Sequence, residues 1–142
     1  GDILVSTVRP NRGAIAILQD AFLVSGAFTV LRSNGAYSSQ TLQVLLRNKI
    51  YKEWLLKFNV GTSYPVIKDA DILNLEIPLI PIDLQYQISQ KVQESFKLRK
   101  QSKDLLNKAV KAVDIAIEKS EEDAIKWLKE NTNEYFTNDK LK

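Results

Sequence analysis

The chain of 142 residues contains no cysteine, no histidine and no methionine. Without cysteine there is no disulfide, no thiolate metal site and no thiol nucleophile. Without histidine it lacks the commonest general base and the commonest metal ligand, and no Ser-His-Asp set can be assembled. The missing methionine, the first residue Gly1 and an opening inside a strand-like run lead us to expect a piece of a longer or processed polypeptide. No apolar run approaches the roughly 20 residues of a membrane span. The first residues lack the charged and then apolar pattern of an export signal. A cytoplasmic chain with no membrane partner is therefore expected.

What is present argues for an ordinary core of modest size. Hydrophobic residues make up 44% of the chain, too many for a disordered one. The length suffices for one domain, or for a smaller domain with an appended element. The formal charge is only +3, but it is unevenly spread. Arg9, Arg12, Arg32, Arg47, Lys49 and Lys52 face a single acid, Asp20, across the front of the sequence. Lys91 to Lys111 is again basic, and Asp114 to Glu134 is acidic. A basic front half suits either a polyanionic partner or an ordinary solvated surface.

The opening stretch, GDILVSTVRPNRGAIAIL, sharpens that choice. Two strand-like runs, Asp2 to Val8 and Ala14 to Leu18, flank the turn Arg9-Pro10-Asn11-Arg12-Gly13. A hairpin tip needs only Asn-Gly or Asp-Gly. The arginines are surplus to the fold, so they either solvate a turn or touch something anionic.

The texture changes near Pro81. Before it, AFTVLR predicts a third strand, followed by a Ser33-Asn34-Gly35 turn. In SSQTLQVLLRNKIYKEWLLKF, Leu42, Leu45, Leu46, Ile50, Trp54 and Phe58 recur at steps of three and four. That spacing predicts one amphipathic helix with Trp54 and Phe58 in the core, capped by Ser38 or Ser39. Gly61 lies just beyond its end, and GTSYPVI reads as a loop because Pro65 pushes Tyr64 out of helical geometry. DILNLEIPLIPI alternates at Leu73, Leu75 and Ile77 and reads as a strand. After Pro81, Asp83 can cap a helix whose apolar seam, interrupted at Arg99, continues to Trp127; from Leu84 to Leu128 it would be about 67 Å long at 1.5 Å per residue. Such a helix needs a partner helix; the alternative is two shorter helices hinged near Ser102 or near Ser120-Glu121.

The ordered motifs resemble those of the specificity subunits of type I restriction–modification systems. GDIL with its Ser/Thr-rich strand, SGAFTVLRSNG, YSSQTLQVLLRNK and GTSYPVIKDADILNLEIPLIPIDLQYQI follow the order found in one of their target-recognition domains. The match runs from Gly1 to about Ile117. It departs at Leu84, where the family usually has Glu before the glutamine, here Gln85, that starts the long helix. The resemblance implies an α/β (α+β) fold: residues 1–81 as the C-terminal part of a target-recognition domain with a short twisted sheet and a helix. Residues 82–131 would be a long, coiled-coil-forming spacer helix, and 132–142 a C-terminal tail. It implies a C-terminal piece of a specificity subunit, or a half-length one that dimerises.

The implied function is to read one half of a split target in double-stranded DNA. Arg9, Asn11 and Arg12 become candidate contacts, since Arg can pair with guanine O6 and N7 and Asn with adenine N6 and N7; a solvated hairpin tip is the alternative. In the small-residue loop Gly61, Thr62, Ser63 and Tyr64, the backbone and hydroxyls could approach a phosphate, or the loop could be a structural turn. Arg47, Lys49 and Lys52 could add phosphate contacts or form a charged solvent face. Leu84, Ile88, Val92, Leu106, Val113 and Ile117 would pack on a second specificity unit, which the resemblance makes antiparallel, and the charge reversal along the helix agrees. The basic stretch Lys97 to Lys111 could instead touch the DNA between half-sites. Partners implied are the modification and restriction subunits, which hold methylation and cleavage. S-adenosylmethionine belongs to the modification subunit, so no cofactor, metal or catalytic residue is expected here. Neither a Gly-rich cofactor loop nor the Asn/Asp-Pro-Pro-aromatic motif of adenine methyltransferases is found. Two competing readings are the specificity domain of a fused restriction–methylation enzyme and a coiled-coil assembly protein with no DNA role.

Overall fold

The structure, a computed structural model, describes residues 1–61 and 64–136, the last four by backbone alone. It divides into two compact units, Gly1–Val92 and Gln93–Lys142. The fold is α+β: a short antiparallel sheet with small helices, followed by a 37-residue helix.

Three strands form the sheet in the order β2-β1-β3, with β1 Ile3–Ser6, β2 Ile15–Ile17 and β3 Phe28–Leu31. Both pairings are antiparallel, placing Ile3 opposite Ile17 and Leu31, and Val5 opposite Ile15 and Thr29. Strand alternation sends Ile3 and Val5 to one face, where they are fully buried. There they join Ile15, Leu46, Tyr51, Leu55, Ile67, Ile72 and Leu75 in a single core, with Trp54 packed at its edge. Burial raises the pKa of the Tyr51 phenol, which donates a hydrogen bond of 3.0 Å to the Glu76 carbonyl. Its ring stacks on Trp54 at 6.2 Å.

The amphipathic stretch after Ser38 is two helices, α1 Ser39–Arg47 and α2 Lys49–Leu56, not one. Asn48 makes the break. Its backbone is extended, it ends α1, and its side-chain oxygen caps α2 by accepting from Ile50 N at 2.9 Å. Ser38 caps α1 as its hydroxyl chemistry predicts, accepting from Thr41 N at 3.1 Å. Phe58, expected in the core, lies beyond the end of α2 and is exposed.

The strand expected over DILNLEIPLIPI is absent. Instead α3, Asp69–Leu73, forms there, and the following residues to Pro81 are irregular. Two carboxylates decide the outcome. Asp71 accepts from Lys68 N at 2.7 Å, and Asp69 accepts from the buried Thr29 hydroxyl at 2.5 Å, tying the helix start to β3. Pro78 and Pro81 offer no N–H to a ladder.

The long helix α4 runs from Ile82 to Glu118, and α5 from Glu121 to Phe136. Of the two readings, one helix over 82–131 or two hinged near Ser102 or Ser120-Glu121, the structure has the second, with the break at Ser120. Its hydroxyl accepts from Asp123 N at 3.1 Å, which is the helix start that Ser-x-x-Asp encodes. Near its own beginning α4 is anchored by Gln85, whose amide is buried. The Gln85 Oε1 accepts from Ser38 N at 3.1 Å, and its Nε2 donates to the Ala36 and Ile80 carbonyls at 3.2 and 3.0 Å. Ser38 and Ser89 hydroxyls add a bond of 2.8 Å.

Within the second unit the covered side chains include Phe96, Leu105, Lys108, Ala112, Ile115 and Ala116 on α4, and Ala124, Trp127, Leu128 and Thr132 on α5. A different α4 stripe is left open: Leu106, Val110, Val113 and Ile117 are between 56% and 79% exposed. Their steps of four, three and four put them on one face.

Candidate nucleic-acid interface

The turn that carries the surplus arginines is a single 3-10 turn, Pro10–Arg12, rather than a bare hairpin tip. Pro10 is buried, and the turn packs on α2. Arg9 precedes it with a left-handed backbone (φ 52°, ψ 56°), a conformation unusual for a residue other than Gly. Gly13 closes it, also left-handed at φ 62°. A Cβ at Gly13 would come within 2.8 Å of Lys52 Cδ, so the missing side chain is what lets the Lys52 stem lie against the turn.

The turn meets the loop of the second candidate group. Arg9 N donates to the Pro65 carbonyl at 2.7 Å, Ile67 N donates to the Thr7 carbonyl at 3.0 Å, and Val8 bridges to Val66. This pairing brings the Arg9 guanidinium 4.0 Å above the Tyr64 ring centroid. Asn59, which sequence reading missed, shapes this loop: its Oδ1 accepts from Gly61 N at 2.9 Å and Val66 N at 3.0 Å. Its Nδ2 donates to the Gly61 carbonyl at 2.7 Å. The signal was present as Asn-x-Gly, a side-chain-closed turn. Gly61 is also required sterically, since a Cβ there would sit 1.8 Å from the Tyr64 carbonyl oxygen. Thr62 and Ser63 lie outside the described residues.

The other cations sort themselves by partner. Arg47 lies at the end of α1 and, with Gly13, Ala14 and Ala16, lines an open hollow of about 420 Å³ beside the sheet. Lys52 reaches the same glycine from α2. Arg12 and Asn11 are exposed on the turn. Among the described residues, Arg9, Arg12, Arg47 and Lys52 have no carboxylate partner. Lys49 pairs loosely with Glu53 at 3.6 Å, an exposed contact of little energetic weight. Arg32 is tied to Asp2 by two bonds of 2.8 and 2.6 Å, which lower the Asp2 pKa and raise that of Arg32. Four cations thus gather around one turn with their charge unspent inside the chain.

The six apolar positions expected at a helix interface fall on one face of α4 but differ in exposure. Leu84, Leu106, Val113 and Ile117 are exposed, whereas Ile88 and Val92 are half-buried in the first unit. Val110 belongs to the same open face and was not anticipated. The acidic segment that suggested antiparallel charge pairing begins at the end of α4 and continues on α5, a separate helix of the same compact unit. Among the described residues there is no cluster of His, Cys, Asp and Glu able to hold a metal ion. No helix among them is long and apolar enough to cross a membrane.

The described residues thus define an α+β chain with an unpaired basic turn and a long helix that carries an open apolar stripe. The chain matches no established family model and no solved structure. It is similar to the type I restriction enzyme MjaVIII specificity subunit of Methanocaldococcus jannaschii, at 27% identity over 123 residues. The aligned part covers 80% of this chain and 29% of that protein's length.

Proposed function

We propose that the chain is the DNA-recognition and spacer portion of a type I restriction–modification specificity subunit. The observation that carries this reading is the group of unpaired cations, Arg9, Arg12, Arg47 and Lys52, around the Pro10–Gly13 turn. The distant similarity to a specificity subunit supports it. Arg12, Arg47 and Lys52 contact phosphates, with Lys49 and Gly61 at the margin and Asn11 beside them. The role is non-catalytic: methyl transfer, with its S-adenosylmethionine, and cleavage belong to partner modification and restriction subunits in the cytoplasm. The α4 stripe of Leu106, Val110, Val113 and Ile117 docks a second specificity unit in an antiparallel pair, with Leu84, Ile88 and Val92 at its front end.

The test uses the full-length polypeptide that carries this sequence, mixed with its candidate modification subunit and a pool of random duplexes at low and moderate salt. Enrichment of a split sequence with a fixed gap is the expected result. The triple variant R12A/R47A/K52A should weaken binding to all duplexes and flatten the logarithmic salt slope by roughly 3, about one per lost phosphate contact. Stable helix-mediated assembly with no enrichment at any salt would leave an assembly protein instead.

A further inference from the structure

The four cations are not equivalent. Arg12, Arg47 and Lys52 are long side chains whose charged heads meet no acceptor and no ring among the described residues. Arg9 is fixed at both ends. Its amide is held by the Pro65 carbonyl at 2.7 Å, its carbonyl accepts from Arg12 N at 3.0 Å, and its guanidinium lies over the Tyr64 ring at 4.0 Å. The backbone that achieves this is left-handed in a residue that precedes proline, where an extended conformation is the rule. Strain of this kind persists where surrounding structure enforces it, and it gathers at sites that must present a group in one orientation.

Stacking on an aromatic face uses the face of the guanidinium and leaves its edge free. All five N–H donors of Arg lie in that plane, and those of Arg9 have no protein acceptor among the described residues. A phosphate is satisfied by a flexible point charge and needs none of this preparation. Bidentate pairing to guanine O6 and N7 needs a planar fork held at a set angle. We infer that Arg9, held over the Tyr64 ring, is the specificity-determining residue of the turn and reads a guanine in the major groove, with Tyr64 as its positioning residue. This rests on the DNA-recognition reading above.

The experiment compares wild type, R9K, Y64F and Y64L in the same full-length complex. Each is selected on random duplexes and then titrated on the selected sequence and its single-base-pair variants. R9K keeps the charge and loses the fork. It should relax discrimination at one G·C pair by roughly ten- to hundredfold while leaving affinity for unrelated duplexes unchanged. Y64L should relax the same pair by about two- to fivefold, and Y64F, which keeps the ring, should match wild type. Tyr64 is 54% exposed, so its replacements should fold, and thermal melting checks each variant. Unchanged discrimination at every base pair for R9K, with the salt slope unaltered because lysine keeps the charge, would make Arg9 a phosphate contact and overturn the inference alone. Relaxation by Y64L at a different base pair, or none at all, would overturn the positioning role. Wild-type protein that enriches no sequence would sink the DNA-recognition reading itself, and the inference with it.

Discussion

The first unit buries nine apolar side chains in one cluster, whereas the described part of the second buries only Ala124 among its apolar residues. The two regions do not differ in supply of such residues. Leu98, Leu106, Val110, Val113, Ile117 and Ile125 are all present in the second unit and all exposed. The front of the chain spends its hydrophobic pattern on itself, through a sheet face closed by α1 and α2. The back spends one helix stripe internally and leaves another open, and an ordered apolar stripe of that kind marks an interaction surface. One region thus closes its apolar surface within itself and the other leaves an ordered stripe of it open.

The largest expected effect breaks the first side of that comparison. Leu46→Ala removes a fully buried core side chain and should cost about 2–5 kcal/mol, a large share of the stability of a small domain. Hydrogen exchange resolved by element should show lost protection in β1, α1 and α2, with the amides of Ile115–Glu118 in α4 unchanged. Equal loss in both regions would show that they unfold as one.

A smaller effect tests the other side. The double variant V113K/I117K should leave the melting temperature within about 2 °C of wild type, since surface changes are usually worth under half a kcal/mol. Sedimentation should nonetheless show helix-mediated association weakened by at least about tenfold, because charges are then desolvated at the interface. Unchanged association would return the stripe to solvent.

The smallest effect concerns the ion pair at the sheet's end. The carboxyl of Asp2 is held below its ordinary value of 3.8 chiefly by its hydrogen bond from Arg32. A lowered folded-state pKa contributes stability that is present above the unfolded value and lost as pH falls through the folded one. The melting temperature of wild type should therefore drop slightly more than that of R32Q as pH falls below about 3.8. Parallel curves would show that the exposed pair adds nothing.

Local chemistry made much of this legible in advance. The three strands follow from alternation around tight turns, and the Ser38 cap from its hydroxyl. What misled was periodicity that outlasted its element. The helical pattern runs straight through Asn48, yet the side chain there competes for a backbone amide and starts a new helix. Leu73, Leu75 and Ile77 alternate like a strand, but the Asp69 and Asp71 carboxylates favour a helical turn, and Leu73 points to solvent. The seam runs through Ser120 too, where only the alternative of a hinge near Ser120-Glu121 matched the cap that Ser120 gives Asp123 N. As for the candidate site, the arginine-bearing turn stood out as surplus charge. Its meeting with Tyr64, fifty-five residues away, depends on the pairing of Val8 with Val66 and could not be read from either segment.

Gln85 gives the molecule a further property. Each bond that its amide makes ends on main-chain atoms: the Ser38 nitrogen and the Ala36 and Ile80 oxygens. A joint that grips backbone is blind to the side chains around it. Substitutions that leave the backbone at Ala36, Ser38 and Ile80 in place should therefore leave the Gln85 clasp on the first turns of α4 intact.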